Sequence, residues 1–174
     1  MFRPLFFMVL AGTALGQHQH GTVSPYAGEE RRMIAALSEA EIADLKGGAG
    51  MSMALPAELN GYPGPRHVLD LADGLSLTGA QRSVAEQLFQ EMRAKAVPLG
   101  EQVIAAEAEL GRLFASGAAT SQAVTAATEG VARLRGELRS VHLVAHLGMR
   151  EALTAEQRAT YDRLRGYASA HGAH

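Results

Sequence analysis

A chain of 174 residues that is 47% hydrophobic, 20% charged and formally −2 at neutral pH has the material for one domain with a real core. It contains no cysteine and no tryptophan, which excludes disulfides, thiolate catalysis and cysteine metal sites and leaves little for a base-stacking platform. A near-neutral chain without a clustered positive field gives no ground for nucleic-acid binding.

The chain opens Met-Phe-Arg-Pro, followed by an apolar stretch from Leu5 to Leu15 and then Gly16. One early positive charge, a short apolar run, and Ala14 and Gly16 at the −3 and −1 positions predict a signal peptide over 1–16, cleaved after Gly16. The stretch is shorter than the roughly 20 residues a spanning helix needs. Cleavage leaves 158 residues and, with Arg3 gone, a charge of −3. The expected location is therefore the periplasm. Residues 17–28, which include His18 and His20, read as a flexible polar segment.

From Glu29 to Lys46 the pattern is helical. Ser38 followed by Glu41 is a capping-box pair, and Gly47-Gly48 stops the helix. Gly-Tyr-Pro-Gly-Pro at 61–65 cannot continue a helix, because proline lacks the amide donor and glycine loses the most backbone entropy. Residues 29–65 thus read as short helices and a Pro/Gly-rich connector, with a short helix from Arg66 to Asp73 beyond.

Two long helical segments follow. In the first, Val84, Leu88, Met92, Leu99, Val103, Ala106, Leu110 and Leu113 recur at close to 3.6 residues, with Pro98 bending the helix and Gly117 ending it. The second runs from about Ser121 to Glu151, its stripe formed by Val124, Thr128, Val131, Leu134, Leu138, Val141, Ala145 and Ala152. The short connection between them makes them antiparallel neighbours. A last helix covers roughly Ala155 to Ala168, and residues 169–174 form a tail with His171 and His174. The expected fold is all-α: a long bent antiparallel hairpin with shorter flanking helices. Both stripes are thin and alanine-rich, so a second copy or a client polypeptide is expected to supply further contact area.

Leu77-Thr78-Gly79-Ala80-Gln81 and Leu153-Thr154-Ala155-Glu156-Gln157 repeat one pattern, each at the opening of a helix. Threonine at the N-cap accepts from the third helical amide, and glutamine three residues on reaches back to the cap's amide. Two such caps separated by a helical hairpin resemble the LTxxQ-motif family of bacterial periplasmic proteins. That family includes the Spy/CpxP chaperones and related periplasmic heavy-metal sensors. The resemblance covers roughly residues 66–168. It implies a hairpin dimerised into a curved cradle and two functions: nucleotide-independent holding of unfolded envelope proteins, or binding of transition metals through histidine, glutamate and methionine. It also admits a membrane signalling partner. The slightly acidic mature chain departs from the basic cradle of the well-known chaperones, which leaves apolar contact rather than electrostatic capture to hold a client.

His142 and His146 stand one turn apart, with Met149 one turn further, so the three share a helix face. Two imidazoles in this register suit zinc, copper, nickel or cobalt, and a thioether suits copper(I). Glu137, a terminal histidine or a second subunit are candidates for the missing donors. The plainer alternative is that these side chains line the helix beside its apolar seam. His67 reads as structural or solvent-facing, Met51 and Met53 as core filling or an adaptable client surface. Arg133, Arg135, Arg139 and Arg150 read as a solvated edge or a client-facing rim. No phosphate loop, nucleophile elbow or HExxH is present, since Leu-Val-Ala separates His142 from His146. An enzyme is not expected, and no cofactor is required beyond an optional metal ion.

Overall fold

The computed structural model describes residues 23–167. The predicted signal peptide, His18 and His20, and His171 and His174 lie outside them. The chain divides into two units. Of the first, up to Glu30, the described part is a run of turns held by bonds such as Ala27 N–H to Ser24 O at 3.0 Å.

The second unit, from Arg31 onward, carries α1 (Glu39–Gly47), α2 (Leu55–Glu58), α3 (Pro65–Asp70), α4 (Gly79–Ala115), α5 (Ser121–Ala152) and α6 (Ala155–Leu164). Among the described residues there is no strand, and the fold is the all-helical one expected, with two long helices and a bend in α4. Pro98 sits inside α4 without ending it.

Helix α1 starts ten residues later than the sequence pattern suggests. Ser38 is extended (φ −72°, ψ 161°), its hydroxyl accepts from Glu41 N–H at 3.2 Å, and the Glu41 carboxylate accepts from Ser38 N–H at 2.8 Å. A completed capping box fixes a helix start, so the chain upstream cannot continue the same helix. It forms only a 3-10 turn at Glu29–Arg31 and then turns Ile34 and Leu37 into the core. Helix α3 is likewise shorter than expected, and α2 occupies part of what reads as connector.

The antiparallel pair α4–α5 is the body of the unit. One apolar cluster joins Ile34, Leu37 and Leu45 to Ala96, Val103, Leu134 and Leu138; a second joins Val68 and Leu75 to Ala85, Met149, Leu153 and Tyr161. The short helices α1–α3 therefore cover one side of the hairpin. Gly100 shows how close they come: a Cβ there would lie 2.2 Å from the Leu45 carbonyl oxygen, so α4 can carry only glycine where the end of α1 meets it. The inward face is also turned by one residue from the predicted stripe at the start of α4, where Ala85 is fully buried and Val84 is 40% exposed. In α5 Thr128 faces solvent. Nearer the hairpin's turn, Arg135 donates to the buried Glu107 at 2.7 Å.

The two Leu-Thr-x-x-Gln caps meet. Thr78 and Thr154 each accept from the backbone amide three residues on, at 3.2 Å, while Gln81 and Gln157 accept from the threonine amides at 3.1 and 3.0 Å. The two glutamine amides then bond to each other in both directions, at 2.8 and 3.0 Å. Spare donor capacity goes to the carbonyls of Ala152 (3.0 Å) and Leu75 (3.3 Å). Of the leucines that precede the two caps, Leu153 is buried and Leu77 packs at the edge of the second cluster. Arg158 donates to the carbonyls of Leu153 and Arg150, covering the end of α5.

If this reciprocal amide pair ties the start of α4 to the start of α6, Gln81→Ala and Gln157→Ala should each cost about 1–3 kcal/mol in urea unfolding. The double variant should cost less than the sum by more than about 0.5 kcal/mol. Additive losses would mean that each glutamine acts only within its own cap.

Candidate functional site

The Pro/Gly connector and the C-terminal ends of the last two helices converge on one carboxylate. Glu58, at the end of α2, is 6% exposed. Its Oε1 accepts from the Tyr161 hydroxyl and, at 3.3 Å, from that of Tyr167. Arg165 Nε lies 3.5 Å and His67 Nδ1 3.4 Å from the same oxygen. Its Oε2 accepts from Gly64 N–H at 3.2 Å and lies 3.7 Å from His146 Nδ1. Burial would raise the carboxyl pKa, but the His67 and Tyr161 partners and the nearby imidazoles outweigh it and hold the group down to about 2. Burial and the same carboxylate push the Tyr161 phenol well above its usual value, so it stays a donor.

Three further contacts fasten the connector to α5. His146 Nδ1 lies 2.7 Å from the Tyr62 carbonyl, which assigns it the proton as donor. Arg150 donates to the Gly61 carbonyl at 2.8 Å and stacks over the Tyr62 ring at 4.3 Å. Gly64 has no side chain because the His146 ring occupies that space: a Cβ would sit 2.9 Å from Cε1.

Behind these contacts lies a cavity of about 550 Å³, walled by the Gly47–Ser52 loop, α2, the start of α3, α4 through Phe89 and Met92, and α5 through His142 and His146. Two consecutive non-glycine residues of its wall, Met51 (φ 44°) and Ser52 (φ 61°), are held in the left-handed region. His142 is 4% exposed and its Nε2 has no hydrogen-bond partner. Burial, and then the neighbouring His146, lower its pKa, which keeps the ring neutral.

Both histidines of the predicted metal trio thus line the cavity. Met149 is fully buried in the second apolar cluster, against Val68, Ala85 and Tyr161, and is not part of the cavity wall. Glu137 is half exposed and bonded to Arg133 at 2.7 Å. Among the described residues no three histidine, aspartate, glutamate or cysteine side chains converge as a metal-holding group. The arginine series on α5 is largely engaged within the molecule, Arg135 by Glu107, Arg150 by the connector and Arg133 by Glu137. His67 is a partner of Glu58, and Met51 and Met53 pack at the edge of the first cluster.

Sequence reading missed Glu58, Tyr161 and Arg165. One signal was available: Glu58 is the only acid between Leu45 and Leu69, within a stretch broken by glycine and proline. That isolation sets the carboxylate apart from the members of a solvated charged face, but it does not identify the partners.

A family model described as LTXXQ motif family protein matches residues 65–165. Neither a comparison with curated proteins nor one with solved structures found a match.

The Glu58 cluster has a pH signature. The carboxyl titrates at about 2 when folded and at about 4.3 when unfolded. Its contribution is complete above the unfolded value and is lost as pH falls through the folded one. The gap in unfolding free energy between wild type and Glu58→Gln should therefore narrow by roughly 3 kcal/mol between neutral pH and pH 2. Denaturant titrations across that range would read it, and a gap independent of pH would show that Glu58 is not held as the charged hub described.

Proposed function

The chain belongs to the LTXXQ motif family, and on that footing we propose that it is a periplasmic binding protein that holds unfolded envelope polypeptides by apolar contact, without nucleotide and without catalysis. The observation that carries this reading is the side of the α4–α5 hairpin left bare by α1–α3. Val84, Val144 and Leu147 are 40%, 59% and 50% exposed there. A shallow groove of about 170 Å³ runs between the two helices, with Leu88, Val141 and Val144 in its wall and Glu91 and Lys95 beside them. Apolar surface grouped in this way supports a partner surface better than a solvated one. With Arg133, Arg135 and Arg150 engaged within the molecule, the chain would hold a client by burial of apolar area, at roughly 25 cal/mol per Å². A second copy covering part of this side would give a cradle-like homodimer, and a membrane signalling partner would read its occupancy. No helix among the described residues is long and apolar enough to cross a membrane.

The test is aggregation of several chemically denatured clients in the presence of the purified protein. Near-stoichiometric protein should suppress it, and Val144→Lys combined with Leu147→Lys should weaken suppression several-fold. Failure with every client would remove the function; unchanged suppression by the double variant would remove this face from it.

A second reading is favoured by one specific observation, the unpartnered Nε2 of the neutral His142 beside His146. Neutral imidazoles are the ligand form of histidine, so the pair fits two positions of a zinc, copper, nickel or cobalt ion. Further donors would come from the terminal histidines or a second copy. Calorimetry with the four metals should then give affinity that His142→Ala with His146→Ala abolishes, and unchanged affinity would rule the pair out.

A further inference from the structure

We propose that the cavity behind the Gly47–Ser52 loop is a binding site for a small amphipathic anion, a medium-chain or aromatic carboxylate. The site shares only Met92 with the groove on the bare hairpin side invoked for clients, and the proposal does not depend on that reading.

Size and wall chemistry come first. About 550 Å³ is within the range of small-molecule sites, which combine mostly apolar walls with a few placed polar groups. Met51, Leu55, Phe89 and Met92 supply the apolar part. Solvent reaches the rim, since Gly50, Ser52 and Leu55 are all exposed.

The polar groups decide the sign of the ligand. Glu58 is the only acid in the wall, facing Arg66 and Arg165 together with the imidazoles of His67, His142 and His146. Both oxygens of Glu58 already accept from Tyr161, Tyr167 and Gly64 and lie beside His67, His146 and Arg165. A cationic ligand would have to displace those partners. The guanidinium groups are less fully used. Arg66 spends its Nε on the exposed Asp70, at 3.0 Å, and lies over the Phe89 ring at 5.8 Å. Arg165 uses Nε toward Glu58 and one terminal nitrogen toward the Tyr167 hydroxyl at 3.3 Å. Each guanidinium carries five N–H donors, so capacity for an incoming carboxylate remains at this end.

His142 adds an incompletely bonded imidazole to the wall. It is nine-tenths buried and more, lines the cavity, and has a ring nitrogen without a partner. A buried polar atom left unpaired is costly unless a ligand or water completes it. The left-handed backbone at Met51 and Ser52, on the wall beside it, is strain of the kind that gathers at ligand sites.

Decanoate is the probe, with decyltrimethylammonium as the cation of equal chain length. Decanoate should bind the purified protein saturably, one per chain, and the ammonium should bind at least about tenfold more weakly. Gly50 is the place to close the cavity, because its backbone is not left-handed and a Cβ there meets only His142 Nδ1, at 3.9 Å. Gly50→Leu should weaken decanoate at least about tenfold, and Arg66→Gln about threefold or more. Val144→Lys with Leu147→Lys should leave decanoate affinity unchanged. Nuclear magnetic resonance of the unaltered protein gives a readout that needs no variant. Decanoate should shift the His142 and Phe89 side-chain signals and spare Val144 and Leu147. Absent or unsaturable binding, equal affinity for the ammonium, undiminished binding by folded Gly50→Leu, or shifts confined to Val144 and Leu147 would each overturn the site.

Discussion

Two glutamine side chains, Gln81 and Gln157, exchange hydrogen bonds in both directions while each also closes the cap of its own helix. A primary amide is the group that can do this, because it carries a donor and an acceptor side by side. Glutamate in either place would offer two acceptors and no donor. The consequence reaches beyond the caps. With the beginnings of α4 and α6 held together, the end of α5 is fixed beside the beginning of α4, and the hairpin acquires a closed end opposite its Gly117 turn. Burial of Leu153, Met149 and Tyr161 in the second cluster follows from that closure.

Glu58 works at the same end by a different principle. It gathers the connector, α3, α5, α6 and the segment after α6 around one buried negative charge, compensated by hydroxyls, an amide, imidazoles and a guanidinium. Such a charge is tolerable inside a protein only with partners on every side. The unusual backbone of Gly61 to Pro65 is thereby given a purpose. It lets Gly64 offer its amide to Glu58 while making room for the His146 ring, and it places the Gly61 and Tyr62 carbonyls against Arg150 and His146.

These two devices divide the surface of the hairpin. One side is covered by α1–α3, whose contact with α4 is close enough to require Gly100, and between them lies the open-rimmed cavity with its unpaired His142. The other side keeps Val84, Val144 and Leu147 in solvent. Of the arginines that would have formed a basic rim, Arg133, Arg135 and Arg150 are drawn inward or paired along their own helix, leaving apolar area as the chief feature of the bare side.

The helices, the hairpin and the caps can be read from the chain alone, because these depend on neighbours within four residues: a threonine and a glutamine three apart, a stripe at 3.6 residues, a proline where no amide is needed. Membership of the LTXXQ family was legible for the same reason, since the motif is a local one. The start of α1 was also written locally, in Ser38 and Glu41, although helical composition upstream obscured it. Which helix faces meet depends on packing in three dimensions. Val84 or Ala85 as the inward residue, Met149 in the core and His142 on a cavity, and the six groups around Glu58 are all contacts between segments distant in the chain. Periodicity fixes an angle around one helix axis but not the rotation of that helix against its neighbours, which is set by packing volume and by the pairing of buried polar groups.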